Sequence, residues 1–320
     1  MKNINPHEVS TTEATQDVGI IHRGAPLESI NDTTTYHRVE VDGVGIFYRE
    51  AGLRNAPTLV LLHGFPTSSR QFAALIPLLA PHYHVIAPDY PGFGQSDQPA
   101  PSSYRYSFDQ LSATMGRFLE RLGIENYTLY VHDYGAPVGF RLMLAWPEKL
   151  RALITQNGNA YVEGLGPKWA KIAEFWAAPE AHPEVIDAFL SLEGTKQRHI
   201  AGSTRPERYN PELWADEFAH LSKPGQREIQ SALLYDYHTN VASYPAWQSW
   251  LRAHQPQTLI VWGANDPSFI VAGAEAFTRD LPQAELHLLN AGHFALYEEN
   301  DTVARLVLRF MARHIGRSTS

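Results

Sequence analysis

The sequence predicts an α/β architecture: a mostly parallel sheet with helices on both faces and an inserted helical cap. Three observations carry this. Apolar, β-branched runs alternate with amphipathic helical runs from residue 58 to 156 and again from 258 to 314, the pattern of βα units in a parallel sheet. Between 157 and 250 the strand signals stop and helical, aromatic segments take over, with Trp169, Trp176, Trp214, Trp247 and Trp250 among them. A strand, a tight small-residue turn and a helix follow one another from Tyr127 to Trp146. The expected divisions are a polar, mobile arm over 1–33, a core over 34–156 and 251–320, and a helical cap over 157–250.

Composition narrows the function classes. At 320 residues the chain is long enough for one large core with a sizeable insertion. Its formal net charge is −8 and it has no basic run, which argues against nucleic acid or an anionic membrane as partner. It contains no cysteine, which excludes disulfides, thiol nucleophiles and cysteine-bound zinc. No window approaches the ~18 uninterrupted apolar residues of a transmembrane helix. The first residues are polar and lack an apolar stretch after a basic start, so no signal peptide is expected and the cytoplasm is the expected location. Nothing in the sequence decides the oligomeric state.

In chain order, Tyr36–Val41 and Val44–Arg49 alternate apolar and polar residues around Asp42-Gly43, a hairpin signal. Thr58–Leu62 is a continuous apolar strand running into His63-Gly64-Phe65-Pro66. A helix should follow, capped by Ser68 or Ser69, with Phe72, Leu75, Ile76 and Leu79 as its apolar stripe. The strand Tyr83–Ala87 runs into the Gly/Pro-rich turn Asp89–Asp97. Ser107 or Asp109 caps a helix that Gly123 stops. After the strand Tyr127–Tyr130 and its helix, Leu153–Thr155 makes another strand. Beyond the helical stretch come the strand Thr258–Trp262, a helix over 271–279, the strand Glu285–Leu289 and a helix over Thr302–His314. His82 and His84 share one strand face, but no third ligand is evident, so no metal site is expected.

The turn at Val131–Gly139 has the form of a nucleophile elbow, in which a sharp turn lifts one side chain off the end of a strand. The lifted residue is Asp133. Val131 stands where a small residue is usual, and Asp133 alone would also suit a helix N-cap. The rest of the chain favours the first reading. Asp266, in Gly263-Ala264-Asn265-Asp266-Pro267, and His293, in Ala291-Gly292-His293-Phe294, each follow a strand. The chain order is nucleophile, acid, base, and no Gly-x-Ser-x-Gly competes.

These motifs, with Asp89-Tyr90-Pro91-Gly92-Phe93-Gly94-Gln95-Ser96-Asp97, resemble the α/β-hydrolase family, in particular its branch of epoxide hydrolases and haloalkane or haloacetate dehalogenases. The resemblance implies the α/β-hydrolase fold and backbone amides of Phe65 and Tyr134 as an oxyanion hole. It implies attack by Asp133 on a saturated carbon, then hydrolysis of the ester by a water that His293, oriented by Asp266, activates. No metal and no organic cofactor is needed. Haloalkane dehalogenases carry N–H-bearing side chains where this chain has Phe65 and Tyr134, and haloacetate dehalogenases carry arginines where it has Tyr134 and Pro137. Tyr237 resembles a lid tyrosine of epoxide hydrolases, whereas Phe175 stands at the first lid position. The expectation is therefore epoxide opening to a diol, with carbon–halogen cleavage as the alternative and Trp176 as a possible halide donor. A non-catalytic, ligand-binding member of the fold is the third reading. Tyr161, Phe175, Trp176 and Phe294 are candidates for the wall of a pocket for a small uncharged organic substrate.

Overall fold

In the computed structural model, which describes residues 34–316, eight strands form one sheet; the arm expected over 1–33 lies outside the described residues. The strands are β1 (Thr35–Val41), β2 (Val44–Ala51), β3 (Thr58–Leu62), β4 (His84–Pro88), β5 (Tyr127–His132), β6 (Leu150–Gln156), β7 (Thr258–Gly263) and β8 (Glu285–Leu289). They lie in the order β1-β2-β4-β3-β5-β6-β7-β8. Strand β2 is antiparallel to both neighbours, and all pairs beyond β4 are parallel. The β1–β2 hairpin turns at Asp42 (φ 50°) and Gly43 (φ 79°), the pair of positive φ angles that matches the twist of the strands.

The helices are α1 (Ile76–Leu79), α2 (Phe108–Arg121), α3 (Gly135–Ala145), α4 (Trp169–Ala177), α5 (Pro183–Leu190), α6 (Leu192–Ile200), α7 (Glu212–Leu221), α8 (Gln226–His254), α9 (Val271–Asp280) and α10 (Ala295–His314). Alternation along the strands supplies two cores. Leu59, Leu61, Val85 and Ala87 face α1 and α10, while Val60, Leu62 and Ile86 face α2, α3 and α8. Strands apolar on both faces need helices on both faces, as the continuous runs anticipated.

The helix expected after β3 is broken. Ser68 caps a 3₁₀ turn, Ser69–Phe72, and α1 starts only at Ile76. Pro77 lacks an N–H, and its ring would clash with the carbonyl four residues back, so no α-helix runs through from 69. The four stripe residues are buried all the same. The last helix starts at Ala295 rather than Thr302, with a non-helical Glu299 (φ −123°, ψ 31°) inside it. Helix α8 continues past the texture change at 250 and ends where Gln255 turns left-handed (φ 45°).

The chain moves outward from β3 to β4, then returns to β5 on the other side of β3. Such a reversal opens a crevice at the carboxyl ends of the strands. Helix α3 packs tightly there. A Cβ on Gly135 would lie 2.1 Å from the Leu62 carbonyl oxygen, and one on Gly139 2.6 Å from Val131 Cγ1. The room that a small residue at 131 would give is thus supplied by the helix, at Gly139.

Gly139→Ala should therefore cost about 1–3 kcal/mol, as overpacking does, despite alanine's better helix propensity. Adding Val131→Ala should recover most of the loss. Urea unfolding of the two single variants and the double variant checks this; strictly additive effects would contradict it.

Candidate active site

Strand β5 ends at His132, and Asp133 follows with φ 49°, a left-handed conformation that costs an L-residue about 1–2 kcal/mol. Tyr134 then caps the N-terminus of α3, so its N–H has no acceptor within the helix. Across the crevice, the segment after β3 approaches because residue 64 is glycine. A Cβ there would lie 2.5 Å from Asp133 Cβ and 2.8 Å from His132 Nδ1. This approach lets the Phe65 amide donate to Asp133 Oδ1 at 2.8 Å.

His293 stands on the other side. Its Nε2 lies 3.4 Å from Asp133 Oδ2 and its Nδ1 2.7 Å from Asp266 Oδ2. All three side chains are buried. Asp266 is itself held. Asn157 Nδ2 donates to Oδ2 at 2.9 Å and the Ser268 amide to Oδ1 at 2.6 Å. Asn157 also accepts from the Gly263 amide at 2.9 Å, which ties the end of β6 to the end of β7. His132 Nε2 lies 3.1 Å from the His293 carbonyl oxygen and, being the partner of a carbonyl, is the protonated nitrogen of that ring.

The charges are mutually dependent. Burial alone would lower His293, but Asp266 and the hydrogen-bonded Asp133 outweigh it and hold the imidazole up at about 9. Burial alone would raise Asp133, yet the hydrogen bond and charge of His293 bring it down to about 2. Asp266 is lowered for the same reason, against its own burial. Burial takes His132 down to about 3, with the charge of His293 acting the same way, so that second imidazole is neutral.

Asp133 and His293 open onto a narrow cavity. The space available to the centre of a water molecule is about 30 Å³, roughly two waters by volume. Trp169, Ile172, Phe189, Leu234 and Phe269 form its apolar wall. Tyr134, Lys168 and Arg198 also line it. The Tyr134 hydroxyl is buried with no protein partner among the described residues. Lys168 is exposed as a residue, while its ammonium donates to Ser268 Oγ beside the cavity. Burial and the neighbouring Arg198 lower that ammonium to about 8.

The wall residues expected from sequence lie elsewhere. Helix α4 presents Trp169 and Ile172 to the cavity, and Phe175 and Trp176 sit a turn further along it. Trp176 Nε1 donates to the Leu234 carbonyl at 2.8 Å. Tyr161 donates its hydroxyl to Asp280 Oδ2 at 2.9 Å, against α9. Phe294 stacks on His199 at 4.4 Å, beside His132. Tyr237 is buried behind the wall, against Trp169 at 4.6 Å and Tyr134 at 5.8 Å, and its hydroxyl shares a hydrogen bond with Tyr244. Asn157, Lys168 and Arg198 are what the sequence reading missed. Asn157 had a usable signal, since it directly follows a strand; an arginine in a polar helix and a lysine at the start of another carry none. His84 is paired with Glu50 at 2.8 Å at the amino-terminal end of β4. Among the described residues no group of histidines and carboxylates is placed to hold a metal.

A family model described as the alpha/beta hydrolase fold matches residues 57–300. The chain is 40% identical over 290 residues to an uncharacterized hydrolase of Saccharomyces cerevisiae, covering 89% of this chain and 99% of that one. It is 28% identical over 301 residues to a haloalkane dehalogenase of Bradyrhizobium diazoefficiens, covering 86% and 93%. The crystal structure of Cfl2 from Burkholderia cenocepacia superposes with a TM-score of 0.72 at 24% identity, covering 88% and 98%, a likeness of fold.

The electrostatics predict a pH-dependent stability. Because the folded pKa of His293 is raised, its ionised form stabilises the fold fully below its unfolded value of about 6.5. That contribution is lost as pH rises through about 9. The melting-temperature advantage of the parent over His293→Gln should be largest near pH 6 and shrink by pH 10. An advantage that stays constant across that range would contradict the assigned charge state.

Proposed function

This chain belongs to the α/β hydrolase fold family, and from that premise we propose that it opens a small epoxide to a diol through a covalent ester on Asp133. The observation that carries the reading is the division of labour around one carboxylate. Oδ1 receives the Phe65 amide, while Oδ2 faces His293 Nε2 at 3.4 Å at the edge of the cavity. A carboxylate held at about pKa 2 is ionised at any working pH and needs no base before it attacks.

Asp133 Oδ2 attacks an epoxide carbon, the carbon–oxygen bond breaks, and the epoxide oxygen leaves as an alkoxide. Tyr134 donates a hydrogen bond to that oxygen, and Lys168, the more acidic donor in the cavity, supplies the proton. Tyr237 could donate only after exchanging its bond to Tyr244, so it is placed second. The ester formed on Asp133 is neutral. His293 thereby loses one of the two anions that hold its proton; that proton passes to the Lys168 amine, which restores the ammonium and leaves the imidazole as a base. It takes a proton from water, and the oxygen of that water attacks the ester carbonyl. The carbonyl oxygen, still at the Phe65 amide, carries the developing charge, with the Tyr134 amide as the second expected donor. Collapse breaks the bond between the ester carbonyl carbon and the substrate oxygen, His293 returns its proton to that oxygen to give the diol, and the Asp133 carboxyl passes its remaining proton to His293, which restores the resting pair. Helices α4 to α8 serve as the cap that keeps bulk water out.

A second reading, displacement of a halide by the same two steps, is favoured by the haloalkane dehalogenase relative. A halide wants N–H donors. The indole N–H of Trp169 donates to the Ser268 carbonyl and that of Trp176 to the Leu234 carbonyl, so neither is free for it. A panel of small epoxides, haloalkanes and haloacetates, scored for diol and for halide, separates the two.

His293→Gln should still form the ester but hydrolyse it slowly, so a covalent adduct on Asp133 should accumulate in the intact-protein mass spectrum. Asp133→Ala should form none. Adduct in the aspartate variant, or none in the histidine variant, would contradict the assigned roles.

A further inference from the structure

The cavity holds a cation that the two steps do not use. Arg198 donates from Nη2 to the Phe189 carbonyl at 2.6 Å. Its Nη1 is buried and has no acceptor among the described residues. The guanidinium is fixed between two rings, with Cζ 4.8 Å from the centre of Phe65 and 4.3 Å from that of Phe189. Glu217 is nearby, but its Oε2 is engaged by His199 Nε2 at 2.7 Å. A buried guanidinium donor without an acceptor is costly, and a rigid planar one is suited to a carboxylate.

Resting on the epoxide reading, we infer that the substrate carries a single carboxylate, held by Arg198 Nη1 beside the carbon that Asp133 attacks. Arg198, with a value of about 10, is cationic at neutral pH, and since the nearby Glu217 is engaged by His199, Nη1 remains the donor open to a carboxylate. The narrowness of the cavity favours a small substrate. The aromatic content of the helical segment alone suggested an uncharged substrate; the inward-facing guanidinium revises that.

The probes are glycidate and glycidamide, which share a three-carbon epoxide and differ in charge. The full-length protein should show a kcat/KM for glycidate roughly 10- to 100-fold above that for glycidamide, the scale of a charge-assisted hydrogen bond. In Arg198→Gln the preference should fall to within about threefold of unity, and Arg198→Lys should restore part of it. Equal rates in the parent protein, or a preference unchanged in Arg198→Gln, overturns the inference. Unreactive propanoate and propanamide, titrated by calorimetry into the parent and Arg198→Gln, make a second measurement that needs no turnover. Binding of propanoate but not propanamide, lost in the variant, supports the anchor even if no epoxide is opened, in which case only the epoxide reading falls. Turnover of glycidamide without propanoate binding overturns the anchor and leaves the epoxide reading standing. If Arg198→Gln does not fold, the propanoate-to-propanamide ratio in the parent decides, and a ratio near unity overturns the inference.

Discussion

One carboxylate, held in a left-handed turn between an amide and an imidazole, is the constraint on which the rest of the structure depends. Asp133 reaches this position because β5 ends one residue earlier and α3 begins two residues later. That turn in turn requires helix and sheet to cross closely, and Gly135 and Gly139 provide the space. The Phe65 amide reaches the carboxylate only because residue 64 has no side chain. The same backbone geometry thus fixes the Asp133 carboxylate, the Phe65 amide that donates to it and the mouth of the crevice.

Burying three ionised groups together would be prohibitive if they were separate. Here each charge is stabilised by another. His293 bridges two carboxylates, Asp266 is satisfied by Asn157 and the Ser268 amide, and His132 remains neutral beside them. The arrangement also couples the two halves of the proposed reaction. Neutralising Asp133 by esterification removes part of what holds the proton on His293, so the first step prepares the base for the second. Lys168 and Arg198 add positive charge to the side of the cavity where the proposed scheme places the leaving oxygen and the substrate.

Much of the fold is legible in the sequence, for a physical reason. Strands buried on both faces read as continuous apolar runs, and the residues just past them fall at the carboxyl edge, where Asp133, Asp266 and His293 converge. What is not legible is tertiary. Val131 looks like a defect of the elbow until Gly139 is found opposite it, eight residues away on the helix. Pro77 breaks a helix whose apolar stripe is otherwise well formed. The helical segment is rich in aromatics, and periodicity alone cannot say that Trp169 rather than Trp176 faces the cavity. Arg198 sits among polar residues on α6 and Lys168 just before α4, and only the packing of the segment turns them inward.

The central claim is that Asp133 itself bonds to the substrate. Single turnover in ¹⁸O-labelled water, with enzyme in excess over an opened epoxide, tests this most directly. In the proposed scheme water attacks the carbonyl carbon of the ester, so the heavy oxygen enters the Asp133 carboxylate and the first diol formed carries none. Peptide mass analysis should find the label on Asp133. A labelled diol with unlabelled Asp133 would mean that water attacks the substrate directly, and would contradict the account.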